Sequence, residues 1–326
     1  MNHHVRPPCV GSNRKTAACL YETTFYLGRL GMRSLPPSFL PRLASTVILW
    51  GAIILAYRLS SEMAFAILIS IPALGALWEY FALLKAGGIS HHRGMGMVAA
   101  LLLIMLNFSL LGSADPILRF AIFPGEAAVM AFFVMALFLR EYGRHNPGRA
   151  TAEGITFTLL GVIYIPWLFL FMAKLLYLTP RSPEGHLTGQ YLVLFVVAVT
   201  KFTDVGAFLC GSLFGRTPFF PNISPKKTCE GILGGILLGV AVGWGVFFFF
   251  GKFLPPFPVI MVCGLALLLA IAGVAGDLAE SLLKRSVHSK DSGHALPGIG
   301  GGLDLIDSLL FTLPLFYFIL LFAPHP

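Results

Sequence analysis

Eight charged residues crowd into GDLAESLLKRSVHSKDSGHALPGIGGGLDLIDS, residues 276–308, in a 326-residue chain that is only 12% charged. They are Asp277, Glu280, Lys284, Arg285, Lys290, Asp291, Asp304 and Asp307, with long apolar runs on either side. If the upstream run stays helical past Gly276, then Asp277, Ser281, Lys284 and His288 fall at i, i+4, i+7 and i+11 and form one stripe. A carboxylate, a hydroxyl and an ammonium group on one face suit a metal-bound phosphate. The plainer reading is a solvated helix end, with Glu280 and Lys284 a surface pair of little value. Downstream, Pro297 with Gly298, Gly300, Gly301 and Gly302 frees the backbone for a tight turn with exposed N–H groups. Asp304 and Asp307 follow at i, i+3 in the first turn of the next apolar run. Helix capping explains one such carboxylate well and two poorly. An acid near the hydrocarbon boundary needs a partner or a role. Oxygen ligands beside a glycine-lined loop of phosphate size point to Mg²⁺.

A second polar stretch reads KFTDVGAFLCGSLFGRTPFFPNISPKKTCEGILGG, residues 201–235. Lys201 and Asp204 stand at i, i+3 inside an apolar run, where they can neutralise one another. Ser224, Lys226, Lys227, Thr228 and Glu230 gather in a short turn bounded by proline and glycine. Hydroxyls beside lysines make a cradle for a polyphosphate, although the GxxxxGK[ST] pattern of a P-loop is absent. Two further groups carry less. Glu79 is either a cavity-lining acid or an interfacial carboxylate reaching for water. His91, His92 and Arg93 resemble a metal cluster on paper but read as interfacial charge. The five cysteines form no CxxC pair and no metal-ligand spacing, so no disulfide framework is implied.

The elements that must position these residues are membrane spans. Hydrophobic residues make up 56% of the chain, mean hydropathy is +0.81, and several runs of about 20 residues are long enough to cross a bilayer as helix. The runs are too uniformly apolar for alternating barrel strands. The fold class is therefore an all-α polytopic membrane protein. About nine spans are expected, over 43–57, 63–84, 95–112, 121–139, 154–173, 188–211, 231–250, 257–275 and 303–323. Seventeen basic residues fall in the N-terminal tail and the even-numbered loops and five on the opposite side, with Lys201 inside a span. The tail and the even loops are then cytoplasmic. Without the tail the count is eleven against five. Residues 1–42 form a basic, irregular tail without a cleavable apolar segment, expected either to be disordered or to reflect a start placed too early, with Met32 opening the lead-in MRSLPPSFLPR. Residues 43–187 hold spans one to five. Residues 188–326 hold spans six to nine, with loops 212–230 and 276–302 meeting on the cytoplasmic face.

Here the chain resembles a known family. SLLKRSVHSKDSGHALPGIGGGLDLID is similar to the phosphatidate cytidylyltransferase signature, S-x-x-K-R-x4-K-D-x-G-x-x-L-P-G-H-G-G-x-x-D-R-x-D. Ser281, Lys284, Arg285, Lys290, Asp291, Leu296, Pro297, Gly298, Gly300, Gly301, Asp304 and Asp307 match without a gap. The segment FGRTPFFPNISPKKTCEGILGG looks like the family's second conserved stretch, and TDVGAF like its D-T-x-A-Y. The resemblance is strong over about residues 190–310. Ile299 stands where the family usually has His, and Leu305 where it usually has Arg. The resemblance implies condensation of CTP with phosphatidic acid to CDP-diacylglycerol and pyrophosphate in phospholipid biosynthesis. It implies Mg²⁺ on Asp277, Asp304 and Asp307, with Asp204 a further ligand, and Asp277, Ser281, Lys284 and Asp304 as the catalytic group. Ser224, Lys226, Lys227, Thr228, Arg285, Lys290, Gly298, Gly300 and Gly301 are left to bind the substrates, with no division of the lysines between CTP and the lipid phosphate.

The expected setting is a bacterial inner membrane with the site facing the cytosol, the bilayer and the two substrates as partners, and a homodimer left open. The formal charge of +8 reads as topology and not as nucleic-acid binding. A related CTP-dependent lipid kinase, or a cytidylyltransferase for another lipid acid, stays open. An ion-coupled transporter using Lys201, Asp204 and Glu79 is disfavoured, because the polar residues crowd one half and one face instead of repeating in both halves.

Overall fold

A chain in hydrocarbon must satisfy every backbone N–H and C=O internally, so its apolar runs fold as helices. The computed structural model describes residues 51, 53–59, 61–113, 115–142, 148–180, 187–221, 223–287 and 301–322. Among them, eight helices are long and apolar enough to span a membrane. These are α1 (Glu62–Ala86), α2 (Arg93–Leu111), α4 (Ile122–Glu141), α5 (Arg149–Val162) running on into α6 (Phe171–Leu176), α7 (Gln190–Phe214), α8 (Cys229–Phe250), α9 (Val259–Ser286) and α10 (Gly302–Phe322). A short α3, Pro116–Phe120, leads into α4. Helical turns at 53–59 continue the first expected span, and the rest of that span lies outside the described residues, as does the tail. All described residues belong to one unit, Pro41–Pro326.

The helices meet one expectation about the loops and correct another. Helix α9 does continue past Gly276, unbroken to Ser286, so Asp277, Ser281 and Lys284 stand on one helix as the stripe requires, with Glu280 beside them, while His288 lies outside the described residues. The expected loop 212–230 is the end of α7, a hairpin of β1 (Pro218–Phe220) with β2 (Ser224–Thr228), and the start of α8. The strands pair antiparallel, Pro218 opposite Thr228 and Phe220 opposite Ser224, with an irregularity between. Between α5 and α6 the chain passes through a π-helical turn, Ile163–Trp167, at Pro166, which cannot donate a helix hydrogen bond.

Helix α8 lies against α7 along a buried stripe of glycines, Gly231, Gly235, Gly239 and Gly243. A side chain at Gly235 would meet the Thr203 carbonyl oxygen at 2.6 Å, so the two backbones approach as closely as they do only because that atom is missing.

Two buried polar knots hold the first half together. Glu126, 2% exposed, pairs with Lys174 at 2.7 Å and accepts from Asn107 Nδ2 at 2.8 Å and Trp167 Nε1 at 3.0 Å. Lys174 is therefore a packed helix residue and not a loop charge, and the side opposite the basic loops keeps four basic residues instead of five. His92 is buried as well: its N–H donates to Thr158 Oγ1 at 2.8 Å and its Nε2 lies 2.8 Å from Glu141. His91 stacks on Phe81, and Arg93 covers the Trp78 ring. Of the HHR triplet, His92 is buried while His91 and Arg93 are half-buried against aromatic rings, and together they hold the start of α2.

Candidate active site

The hairpin is fixed from both ends. Thr228 caps α8 by accepting from the Gly231 N–H at 3.2 Å. Glu230, in the first turn of that helix, accepts from the N–H groups of Arg216 at 3.0 Å and Thr217 at 3.2 Å and from the Thr217 hydroxyl at 2.9 Å. Glu230 is spent on holding the chain leaving α7 against the start of α8. The result is a cavity of about 420 Å³ lined by Ser224, Lys226, Lys227 and Thr228 from the hairpin, Asp204 from α7 and Asp277 from α9. Hydroxyls and lysines on one wall thus face carboxylates on the other.

Asp277 meets a denser acidic group where α9 crosses α10. At Gly276 an added Cβ would lie 2.7 Å from the Asp307 carbonyl oxygen, so the contact requires glycine. That approach brings oxygens of Asp277, Glu280 and Asp307 within 4.8 Å of one another. Asp277 is paired with Lys227. Lys284 bridges Glu280, at 2.8 Å, and Asp304. Asp304 Oδ2 also accepts from the Gly301 N–H at 2.8 Å, closing the start of α10. Asp307, 5% exposed, accepts from the Ser308 N–H at 2.6 Å and its hydroxyl at 3.2 Å. Asp204 pairs with Lys201 at 3.3 Å and sits 3.4 Å from the Ser308 hydroxyl.

Five carboxylates are thereby set against four ammonium groups among the described residues, those of Lys201, Lys226, Lys227 and Lys284, a formal excess of one negative charge. Glu280 Oε1 is buried without a hydrogen-bond partner there. Hard oxygen donors, net negative charge and an orphaned buried oxygen fit a divalent cation such as Mg²⁺.

The expected residues do not all converge. Asp277 and Asp307 share the acidic group. Asp304 is turned to Lys284, and Glu280 stands with Asp277 and Asp307 in the acidic group. Asp204 lines the cavity and pairs with Lys201 behind it. Ser224, Lys226, Lys227 and Thr228 form the hairpin wall as expected. Arg285 is exposed, its Nε donating to the Ile223 carbonyl at 3.4 Å, which ties the end of α9 to the hairpin. Ser281 is partly exposed on α9, outside the cavity lining. Lys290, Gly298 and Gly300, with Asp291, lie outside the described residues.

Three contributors escaped the sequence reading or were undervalued by it. Glu280 was read as half of a surface pair but is 2% exposed, because α10 covers it. Glu79 is a helix cap: its Oε2 accepts from the Leu303 N–H at 2.9 Å and anchors α1 to the start of α10. Tyr164, in the π-helical turn, buries its hydroxyl within electrostatic reach of Asp307, Glu280 and Asp277.

Residues 41–323 match the cytidylyltransferase family. A phosphatidate cytidylyltransferase from Synechocystis sp. is 34% identical over 272 residues, 76% of this chain and 85% of that protein. One from Bacillus subtilis is 30% identical over 275 residues, 84% of this chain and 95% of its relative. An uncharacterised Escherichia coli protein, YnbB, is 39% identical over 146 residues, 45% of this chain and 47% of that protein.

Proposed function

The chain belongs to the cytidylyltransferase family, and from that premise we propose that it condenses CTP with phosphatidic acid in the bacterial inner membrane, its site facing the cytosol. The observation that carries this reading is the cavity in which Ser224, Lys226, Lys227 and Thr228 oppose Asp204 and Asp277. In the reaction an ionised oxygen of the lipid phosphate attacks the α-phosphorus of CTP. A new P–O–P linkage forms, the bond from the α-phosphorus to the bridging oxygen breaks, and pyrophosphate leaves with that electron pair.

Both reactants are anionic, so the protein's work is charge neutralisation and alignment. Lys226 and Lys227 supply positive charge at the hairpin wall, and the hydroxyls of Ser224 and Thr228 fix orientation. Lys284, held between Glu280 and Asp304, keeps the start of α10 in place beside Asp307. Asp277, Glu280 and Asp307 would hold the divalent cation, which when bound supplies neutralisation of phosphate oxygens. The orientation rests on the excess of basic residues in the tail and the even loops, which the burial of Lys174 makes larger.

The test is incubation of membranes containing the chain with phosphatidic acid, Mg²⁺ and CTP labelled at either the α- or the γ-phosphate. Label from the α-phosphate enters a CDP-lipid, and the γ-label leaves as pyrophosphate. Transfer of the γ-label to lipid would instead identify a kinase, and label in neither product would refute the proposal.

A further inference from the structure

Lys201 lies at a boundary between two chemically different spaces. Its partner Asp204, at 3.3 Å, lines the polar cavity. Lys201 itself lines a second, apolar cavity with Tyr57, Phe65, Phe169, Leu305 and Leu309, and among the described residues it is the one charged group in that lining. The enclosed space there is about 60 Å³, room for a few methylene groups next to the ammonium and not for a whole acyl chain. Position 305, which in the resembling pattern carries Arg, here presents leucine to this space, so among the described residues its positive charge comes from α7.

An ammonium group has three donors. Among the described residues Asp204 is the one hydrogen-bond partner of Lys201, at a long 3.3 Å. A lysine inside a span, 15% exposed at its side chain, is costly unless its remaining donors are used. Asp307 and Asp277 act on it through space, and an anionic acceptor can reach the ammonium from either of the two spaces. An apolar wall leading to a single cation matches an amphiphile whose polar end is an anion.

Resting on the function proposed above, we propose that Lys201 anchors the phosphate of the lipid substrate, with the first carbons of the lipid in the apolar cavity. Lys226 and Lys227 are then left to the nucleotide. The anchored phosphate would lie beside Asp204, at the edge of the polar cavity, which is where it must be to reach a CTP held by the hairpin. The alternative is that Lys201 serves only to neutralise Asp204.

The two roles separate in kinetics with phosphatidic acid in mixed micelles and CTP varied independently. Lys201→Met should raise the KM for phosphatidic acid about 10- to 100-fold, the loss of a charge-assisted hydrogen bond, with the KM for CTP within about twofold. Lys201→Arg should keep most of the lipid affinity. A raised CTP or Mg²⁺ requirement with unchanged lipid KM in Lys201→Met overturns the proposal and leaves Lys201 as a neutraliser. Leu305→Phe tests the other half without touching the charge, and covers the case in which Lys201→Met does not fold. It should narrow the cavity and raise the lipid KM, most for bulky acyl chains; identical lipid kinetics to the unmodified chain would overturn the assignment. If the unmodified chain forms no CDP-lipid at all, the underlying function falls and this inference falls with it.

Discussion

Replacing Gly276 with alanine probes the geometry of the acidic group directly. The new Cβ would stand 2.7 Å from the Asp307 carbonyl oxygen, 3.0 Å from Ser308 Cα and 3.3 Å from the Ser308 carbonyl oxygen. All three are backbone atoms of α10, so no rotamer change relieves them. Reaching ordinary contact requires α9 and α10 to part by about 0.7 Å. Overpacking of this kind costs about 1–3 kcal/mol, and alanine for glycine within a helix returns about 1 kcal/mol, so the net loss of stability is about 0–2 kcal/mol. The effect on chemistry is larger. The same shift draws Asp307 away from Asp277 and Glu280, and a misplacement of about 1 Å can cost about 100-fold in rate. Gly276→Ala is therefore expected to lower kcat by about 10- to 100-fold and raise the Mg²⁺ requirement, measured as labelled CDP-lipid formed by detergent-purified protein. Gly264→Ala is the control on the same helix: nothing lies within 4 Å of its added Cβ, so the rate should hold and stability should rise slightly. A Gly276→Ala protein within twofold of the unmodified rate at the same Mg²⁺ concentration would refute the argument that this crossing sets the site.

Further tests address the supports. Glu79→Ala strips the cap from the Leu303 N–H and should cost about 1.5–3 kcal/mol in unfolding, whereas Glu79→Gln keeps an acceptor; equal midpoints for the two variants would exclude the capping role. Lys174→Ala leaves Glu126 buried and uncompensated, a loss of about 3–5 kcal/mol, and pairing it with Glu126→Gln should recover part of that, both read from thermal unfolding in detergent. Lys284→Ala removes the shared partner of Glu280 and Asp304 and should reduce kcat about 100- to 1,000-fold with normal membrane insertion. Asp304→Asn should have a smaller effect, and full activity in both would reduce the pair to a helix cap.

The parts of this protein set by local period and length were legible in the sequence. Helices form wherever hydrocarbon leaves the backbone no other partner, and a repeat of 3.6 residues puts Asp277 and Lys284 on one side of α9 whatever surrounds them. Burial was harder to read. Glu280 and Lys284 have the same i, i+4 spacing on a wetted helix as on a covered one, and only the approach of α10 at Gly276 separates the cases. Glu79 lies 224 residues before the N–H it caps, and nothing near it in the sequence encodes that partner. Lys174 was counted as a loop charge because a cation near the end of an apolar run looks interfacial; its partner comes from a different helix. The hairpin escaped for a similar reason, since Pro218–Phe220 and Ser224–Thr228 are too short to announce themselves as strands.

Helix ends explain the order of charges in the site and sharpen where a divalent cation is expected. Lys284 and Arg285 occupy the last turn of α9, and Asp304 the first turn of α10. Each has the sign that its helix end favours, by about 0.3–1 kcal/mol. Asp277 and Glu280 gain nothing comparable, since they lie toward the end of α9 where the dipole is negative. Lys227 relieves Asp277, and Lys284 relieves Glu280. Asp307 is left with a neutral N–H and a hydroxyl, both from Ser308, as its hydrogen-bond donors among the described residues. Unused hydrogen-bonding capacity therefore remains at the buried Oε1 of Glu280, and Asp307 has Lys201 acting on it only through space, while Asp304 pairs with Lys284 and the Gly301 N–H. On the reading proposed above, a divalent cation would be held among Asp277, Glu280 and Asp307, with Asp304 next to Glu280 as well as to Lys284.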